Sequence, residues 1–140
     1  MASSAVNGIS QRPGPVIMVD DNDIDLAIAE RCFRQSGLAK PLIQLTGGRE
    51  LLAYLREVED GRETMPSLVL LDINMPGFDG FETLQAVRNN AIFQEIPIVM
   101  MLTNSDRPED WERARDLGAD GFHTKPMSVH EYVSFFDSLG

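Results

Sequence analysis

Three short apolar runs of this sequence end abruptly in groups able to do chemistry. Val16–Val19 runs into Asp20-Asp21, Leu68–Leu71 into Asp72, and Ile98–Leu102 into Thr103-Asn104-Ser105. A weaker run, Gly121–Thr124, stops at Lys125-Pro126. A carboxylate that closes a buried run is costly unless water, a cation or a ligand can reach it. Carboxylates gathered within a few ångströms repel and raise one another's pKa. A divalent cation relieves that repulsion, and an all-oxygen site suits Mg²⁺, which keeps several waters and shares a phosphate readily. A lysine and a hydroxyl beside such carboxylates make a pocket for a dianionic tetrahedral group. These residue types therefore point to phosphoryl chemistry, with Asp72 as its centre.

The chemistry requires that distant run ends meet, and the elements between them say how. The apolar runs are too short for good helices and suit strands buried on both faces of a parallel sheet. Between them lie amphipathic helices. Asn22, with Asp25 three residues on, caps the first, with Ile24, Ile28 and Cys32 as its apolar stripe and Gly37 at its end. Leu42–Leu45 is a further strand, followed by a turn at Gly47-Gly48 and a helix over Arg49–Glu59 that carries Leu51, Leu55 and Val58. Pro76-Gly77 presets a turn after Asp72, and Asp79 with Glu82 reads as a capping box for a helix bearing Phe81, Leu84 and Val87. The fourth helix spans Asp106–Leu117, with Pro108 in its first turn. Ser128 and Glu131 read as another capping box opening the last, whose stripe is Val129, Tyr132, Val133, Phe136 and Leu139. Strand and helix alternate five times, which predicts an α/β fold: a five-stranded parallel sheet covered by helices on both faces, a (βα)5 doubly wound arrangement. In such sheets ligands bind outside the carboxyl ends of the strands, where all the candidate residues fall.

Composition bounds the function. A chain of 140 residues suits one domain. Residues 1–14, rich in Ser, Gly, Pro and Asn, read as a flexible N-terminal tail, and 15–140 as the folded domain. A formal charge of −10 argues against nucleic acid and anionic membranes as partners. No apolar stretch approaches the roughly 20 residues of a membrane span. The start lacks the features of a signal peptide, and the single Cys32 fits a reducing, cytoplasmic setting as a small buried apolar residue.

Val-Asp-Asp-Asn (19–22), Leu-Leu-Asp-Ile-Asn-Met-Pro-Gly-Phe-Asp-Gly (70–80), Met-Leu-Thr-Asn (101–104) and Thr-Lys-Pro (124–126) closely resemble the receiver domains of bacterial two-component response regulators. Each motif alone is weak; four in order at strand ends are highly specific. The resemblance implies a flavodoxin-like fold with strand order 2-1-3-4-5. It implies Asp72 as the phospho-acceptor, served by a phosphohistidine on a sensor histidine kinase. It further implies Asp21 as a direct Mg²⁺ ligand, Asp20 as support for the metal, and the backbone carbonyl of Asn74 as a ligand beside Asp72 itself. Thr103 would hydrogen-bond the phosphoryl oxygens and Lys125 would pair with them. The Lys125–Pro126 bond would be cis. Phe122 takes the place of the aromatic that turns inward on activation, so that Thr103 and Phe122 form the switch; lacking a hydroxyl, Phe122 must act by packing. Asn104 follows Thr103 where smaller residues are common, and its bulk would hinder the attacking water.

These roles make a single-domain response regulator, a Mg²⁺-dependent phospho-acceptor and not an enzyme beyond its own phosphorylation and dephosphorylation. The chain ends at Gly140, which leaves output to a downstream protein target or a phosphotransfer protein, with the chain a monomer or weak homodimer. The polar connection Asp60–Ser67 resembles the receivers paired with bacteriophytochromes. Two rivals stand beside this reading. A Mg²⁺-dependent aspartyl-nucleophile phosphatase would usually carry a second acid two residues after the nucleophile, where this chain has Asn74. A pseudo-receiver that only binds proteins would not need Asp20, Asp21, Asp72, Thr103 and Lys125 together. His123 and His130 read as lone histidines without a metal role. Met100-Met101 reads as strand core, and Trp111 as packing on its own helix's stripe with Ala114.

Overall fold

Side chains that alternate along each strand build two apolar layers, one on each face of a single sheet. The structure, a computed structural model, describes residues 3–4, 6–102 and 107–140. Its strands are β1 (Ser3–Ser4), β2 (Val16–Val19), β3 (Leu42–Leu45), β4 (Leu68–Asp72), β5 (Ile98–Leu102) and β6 (Gly121–Thr124). Its helices are α1 (Asp23–Gln35), α2 (Gly48–Glu59), α3 (Gly80–Arg88), α4 (Pro108–Asp116) and α5 (Val129–Leu139). The sheet order is β1-β6-β5-β4-β2-β3. All neighbours from β3 to β6 are parallel, and β1 alone pairs antiparallel with β6. Taken by themselves, the five parallel strands run in the expected 2-1-3-4-5 order of the flavodoxin-like fold.

The period of two along the strands sorts the core. Ile17, Val19, Val69, Leu71, Ile98 and Met100 face the layer of α2, α3 and α4, where they meet Leu51, Leu55, Phe81, Leu84 and Ala114. Val16, Met18, Leu68, Leu70, Val99 and Met101 face α1 and α5, where they meet Ala29, Cys32, Phe33, Phe135 and Phe136. Both faces of β2 and β4 are buried, as their unbroken apolar runs require. The caps fall where the sequence places them. Asn22 accepts from the Asp25 N–H, Asp79 and Glu82 form a reciprocal capping box, and Pro108 opens α4. Ser128 accepts from the Glu131 N–H, but the Glu131 carboxylate turns to the Met127 N–H instead of closing a box. Gly77 takes a positive φ of 74°. Gly48 opens α2 and serves packing, for a Cβ there would lie 1.9 Å from Thr83 Oγ1 of α3.

Several sequence expectations change. The stripe Ile24–Ile28–Cys32 is not the buried face of α1: Ile24 and Ile28 are 71% and 40% exposed, while Leu26, Ala29, Cys32 and Phe33 are buried. Two apolar stripes coexist on this helix, with Cys32 on their shared border, and contact with the sheet chooses between them. On α5, Val129 is exposed and Phe135 takes its place in the core. Within the stretch read as a flexible tail, Ile9 is fully buried against the α1–α5 layer at the start of a short 3-10 turn, Ile9–Gln11. The chain is fastened there by the Lys40 ammonium, which donates to the Arg12 carbonyl, and by the Ser67 hydroxyl, which donates to the Gly14 carbonyl. One apolar anchor suffices to pack a segment whose average composition reads as loop. No peptide bond among the described residues is cis, so Lys125–Pro126 is trans, the form X–Pro bonds prefer by roughly 0.5–1 kcal/mol.

Candidate functional site

Register brings the acids together. Parallel pairing sets Val16 opposite Leu68 and Val19 opposite Leu71. One further step sets Asp20 beside Asp72, both on the α1–α5 side by strand alternation. Asp20 and Asp72 are 1% and 3% exposed, and Asp21 projects to solvent. One oxygen from each of Asp20, Asp21 and Asp72 lies within 4.8 Å of the others.

The loops after the strands hold these carboxylates. Asp20 Oδ1 accepts from the Asn22 N–H at 2.9 Å, the residue that also caps α1. Asp72 Oδ1 accepts from the Asn74 N–H at 3.3 Å. Behind Asp72, Gly80 lets the chain return close to the strand, since a Cβ there would sit 2.3 Å from the Asp72 carbonyl oxygen. Lys125 reaches in from the end of β6. Its ammonium lies 2.6 Å from Asp20 Oδ2, 2.8 Å from Asp25 Oδ2 and 3.6 Å from Asp72 Oδ2. The Asp20 oxygen that faces the ammonium is itself buried.

Burial pulls the Lys125 pKa down, but the surrounding Asp20, Asp25 and Asp72 carboxylates outweigh it and hold it well above the usual lysine value. The lysine is thus a fixed cation at neutral pH. Burial also pushes the Tyr132 phenol of α5 up to about 12, with Lys125 opposing and Asp25 and Asp20 adding. The phenol stays neutral beside the charged cluster.

Of the residues singled out from sequence, Asp20, Asp21, Asp72 and Lys125 converge, and Asn74 sits over Asp72 through its N–H. Thr103 and Asn104 lie outside the described residues. Phe122 is half-buried on β6 and stacks on Trp111 of α4, with ring centroids 4.9 Å apart and planes at 23°. Trp111 is therefore a packing residue, although its partner is Phe122 across elements. His123 packs on Phe135, with ring centroids 4.5 Å apart. Asp25 was missed: its sequence position marks only a helix start, and nothing in the spacing ties it to a lysine a hundred residues later.

The donor set fits a hard divalent cation. Three carboxylates converge with no nitrogen or sulfur donor among them. The comparisons with known proteins agree with the fold. The family model for the response regulator receiver domain matches residues 16–136. The chain belongs to the response regulator receiver family. Among solved relatives, the Mn²⁺-bound form of response regulator Rcp1, a Synechocystis protein, is 25% identical over 89% of this chain and 90% of that one, at a TM-score of 0.75. The phosphorylated cyanobacterial phytochrome response regulator RcpA is 25% identical, covers 90% of each chain and has a TM-score of 0.77. The bacteriophytochrome response regulator AtBRR is 30% identical over 92% of this chain and 94% of that one, at a TM-score of 0.73. No helix among the described residues is long and apolar enough to cross a membrane.

Proposed function

We propose that this receiver accepts a phosphoryl group on Asp72 from the phosphohistidine of a sensor histidine kinase, in a Mg²⁺-dependent reaction. The observation that carries the reading is the convergence of three carboxylates, one from each of Asp20, Asp21 and Asp72, with the Lys125 ammonium 3.6 Å from the acceptor. Asp20, Asp21, Asp72 and the Asn74 carbonyl would hold the Mg²⁺, which supplies charge neutralisation for the transferring phosphoryl group. A Mn²⁺-bound relative and a phosphorylated relative support both halves of the proposal.

The chain's own groups account for the rest. An Asp72 carboxylate oxygen attacks phosphorus; the new O–P bond forms as the P–N bond to the kinase imidazole breaks, and the electron pair returns to that ring. The Asn74 N–H donates to the attacking carboxylate, and the loop folded back at Gly80 packs on the Asp72 backbone. Lys125, permanently charged, pairs with the phosphoryl oxygens, and Thr103 hydrogen-bonds them. Near-complete burial of Asp72 limits access by bulk water. Phe122 then reads the state of the site by its packing. The kinase is of the bacteriophytochrome class on the strength of the phytochrome-linked relatives, and the receiver works in the cytoplasm, as a monomer or weak homodimer, on a downstream protein or a phosphotransfer protein.

Incubation with acetyl phosphate and Mg²⁺, followed by peptide mass mapping, tests the proposal. A single phosphoryl group on Asp72, absent in Asp72→Asn, is expected. Labelling elsewhere in Asp72→Asn overturns the acceptor assignment, and rapid turnover of phosphomonoesters would favour a phosphatase.

A further inference from the structure

The Lys125 ammonium does not rest on the proposed acceptor. Its two nearest partners are Asp20 at 2.6 Å and Asp25 at 2.8 Å, with Asp72 a full 1.0 Å beyond the nearer of them, at 3.6 Å. Asp25 stands apart from the others. It lies in the first turn of α1, its side chain is 35% exposed, and the three converging carboxylates do not include it. Its position is nevertheless built. The Asp25 N–H donates to the Asn22 side chain at 3.0 Å, while the Asn22 N–H donates to Asp20, so one asparagine sets both carboxylates that grip the lysine.

We infer that Asp25 is a positioning residue for Lys125: it shares the ammonium with Asp20, holds it at the rim of the site away from Asp72, and so lessens its opposition to a divalent cation at the acceptor. This rests on the proposed function. An ammonium and a dication facing the same carboxylates repel each other, and both cannot be neutralised by Asp20 and Asp72 at once. Asp25 offers the lysine a third carboxylate outside that pair. Without it the ammonium, already 2.6 Å from Asp20, moves towards Asp72 and opposes the cation.

The test is a double-mutant cycle read as Mn²⁺ affinity, followed by the loss of the free-ion electron paramagnetic resonance signal, in wild type, Asp25→Asn, Lys125→Met and the double variant. Asp25→Asn is expected to weaken Mn²⁺ binding about fivefold in the wild-type background, and about twofold or less once the lysine is neutral, as coupled neighbours behave. Asp25→Ala repeats the measurement with no amide left to grip the lysine, and Lys125→Gln supplies a second neutral background. An equal loss of affinity in both backgrounds overturns the inference, because Asp25 would then act only through its own charge. If wild type binds Mn²⁺ and is labelled on Asp72 yet the cycle is additive, the inference fails alone. If wild type binds no Mn²⁺, the functional proposal fails and takes the inference with it.

Discussion

Phosphorylation of Asp72 is expected to change the fluorescence of Trp111. This is the chain's only tryptophan, and it stacks on Phe122. Phe122 has its backbone held on both sides, opposite Met100 of β5 and Ser3 of β1, so an inward turn can only be made by the ring. An aromatic pair in this geometry is worth about 1 kcal/mol beyond its buried area. That biases the ring outward by about fivefold, since one kcal/mol is about that factor in a population ratio. Phe122→Leu keeps an apolar side chain and deletes the stack, so it removes about that fivefold bias. The assay is emission of Trp111 during labelling with acetyl phosphate and Mg²⁺, with phosphorylation followed in parallel by mass spectrometry. In wild type the emission should change with the time course of labelling. In Asp72→Asn it should not change. In Phe122→Leu it should start near the phosphorylated wild-type value and move little. An unchanged emission in wild type at complete phosphorylation would refute the role of Phe122.

Two further predictions concern what holds the site's scaffold. Arg88 at the end of α3 donates to the carbonyls of Gly118, Phe93, Gln94 and Ile96 and pairs with Asp120, tying α3 to the starts of β5 and β6. The Asp120 partner is half-exposed, so Asp120→Asn should cost about 1 kcal/mol, whereas Arg88→Met, which strips four carbonyls of their donor, should cost about 3 kcal/mol in urea unfolding; equal losses would show that the ion pair dominates. Ile9→Ala should cost about 2–5 kcal/mol, the range for truncating a fully buried isoleucine, and a loss within 0.5 kcal/mol, the usual bound for a surface change, would place Ile9 outside the core in solution.

Much of the fold and site was legible before any coordinates. Unbroken apolar runs ending in acid can only be buried parallel strands with their polar ends at one edge, because a carboxylate is not left inside a sheet. Asp20, Asp21 and Asp72 are legible in this way, Lys125 stands at the end of the weaker run Gly121–Thr124, and local caps mark the starts of α1, α3 and α5, since capping depends on residues three apart. What tertiary structure alone decided depends on contacts that no local rule contains. The sheet chose Leu26, Ala29 and Phe33 over Ile24 and Ile28 as the buried face of α1, for two stripes of similar hydropathy differ only in which meets the other layer. Ile9 is core because the chain passes the mouth of the α1–α5 layer, which composition averages away. Arg88 closes α3 in sequence and is a clasp in the structure, because four carbonyls from two connections, α3–β5 and α4–β6, face it. Asp25 joined the site for the same reason: the first turn of α1 and the end of β6 meet only once the sheet is assembled, and there an ammonium finds a carboxylate a hundred residues away.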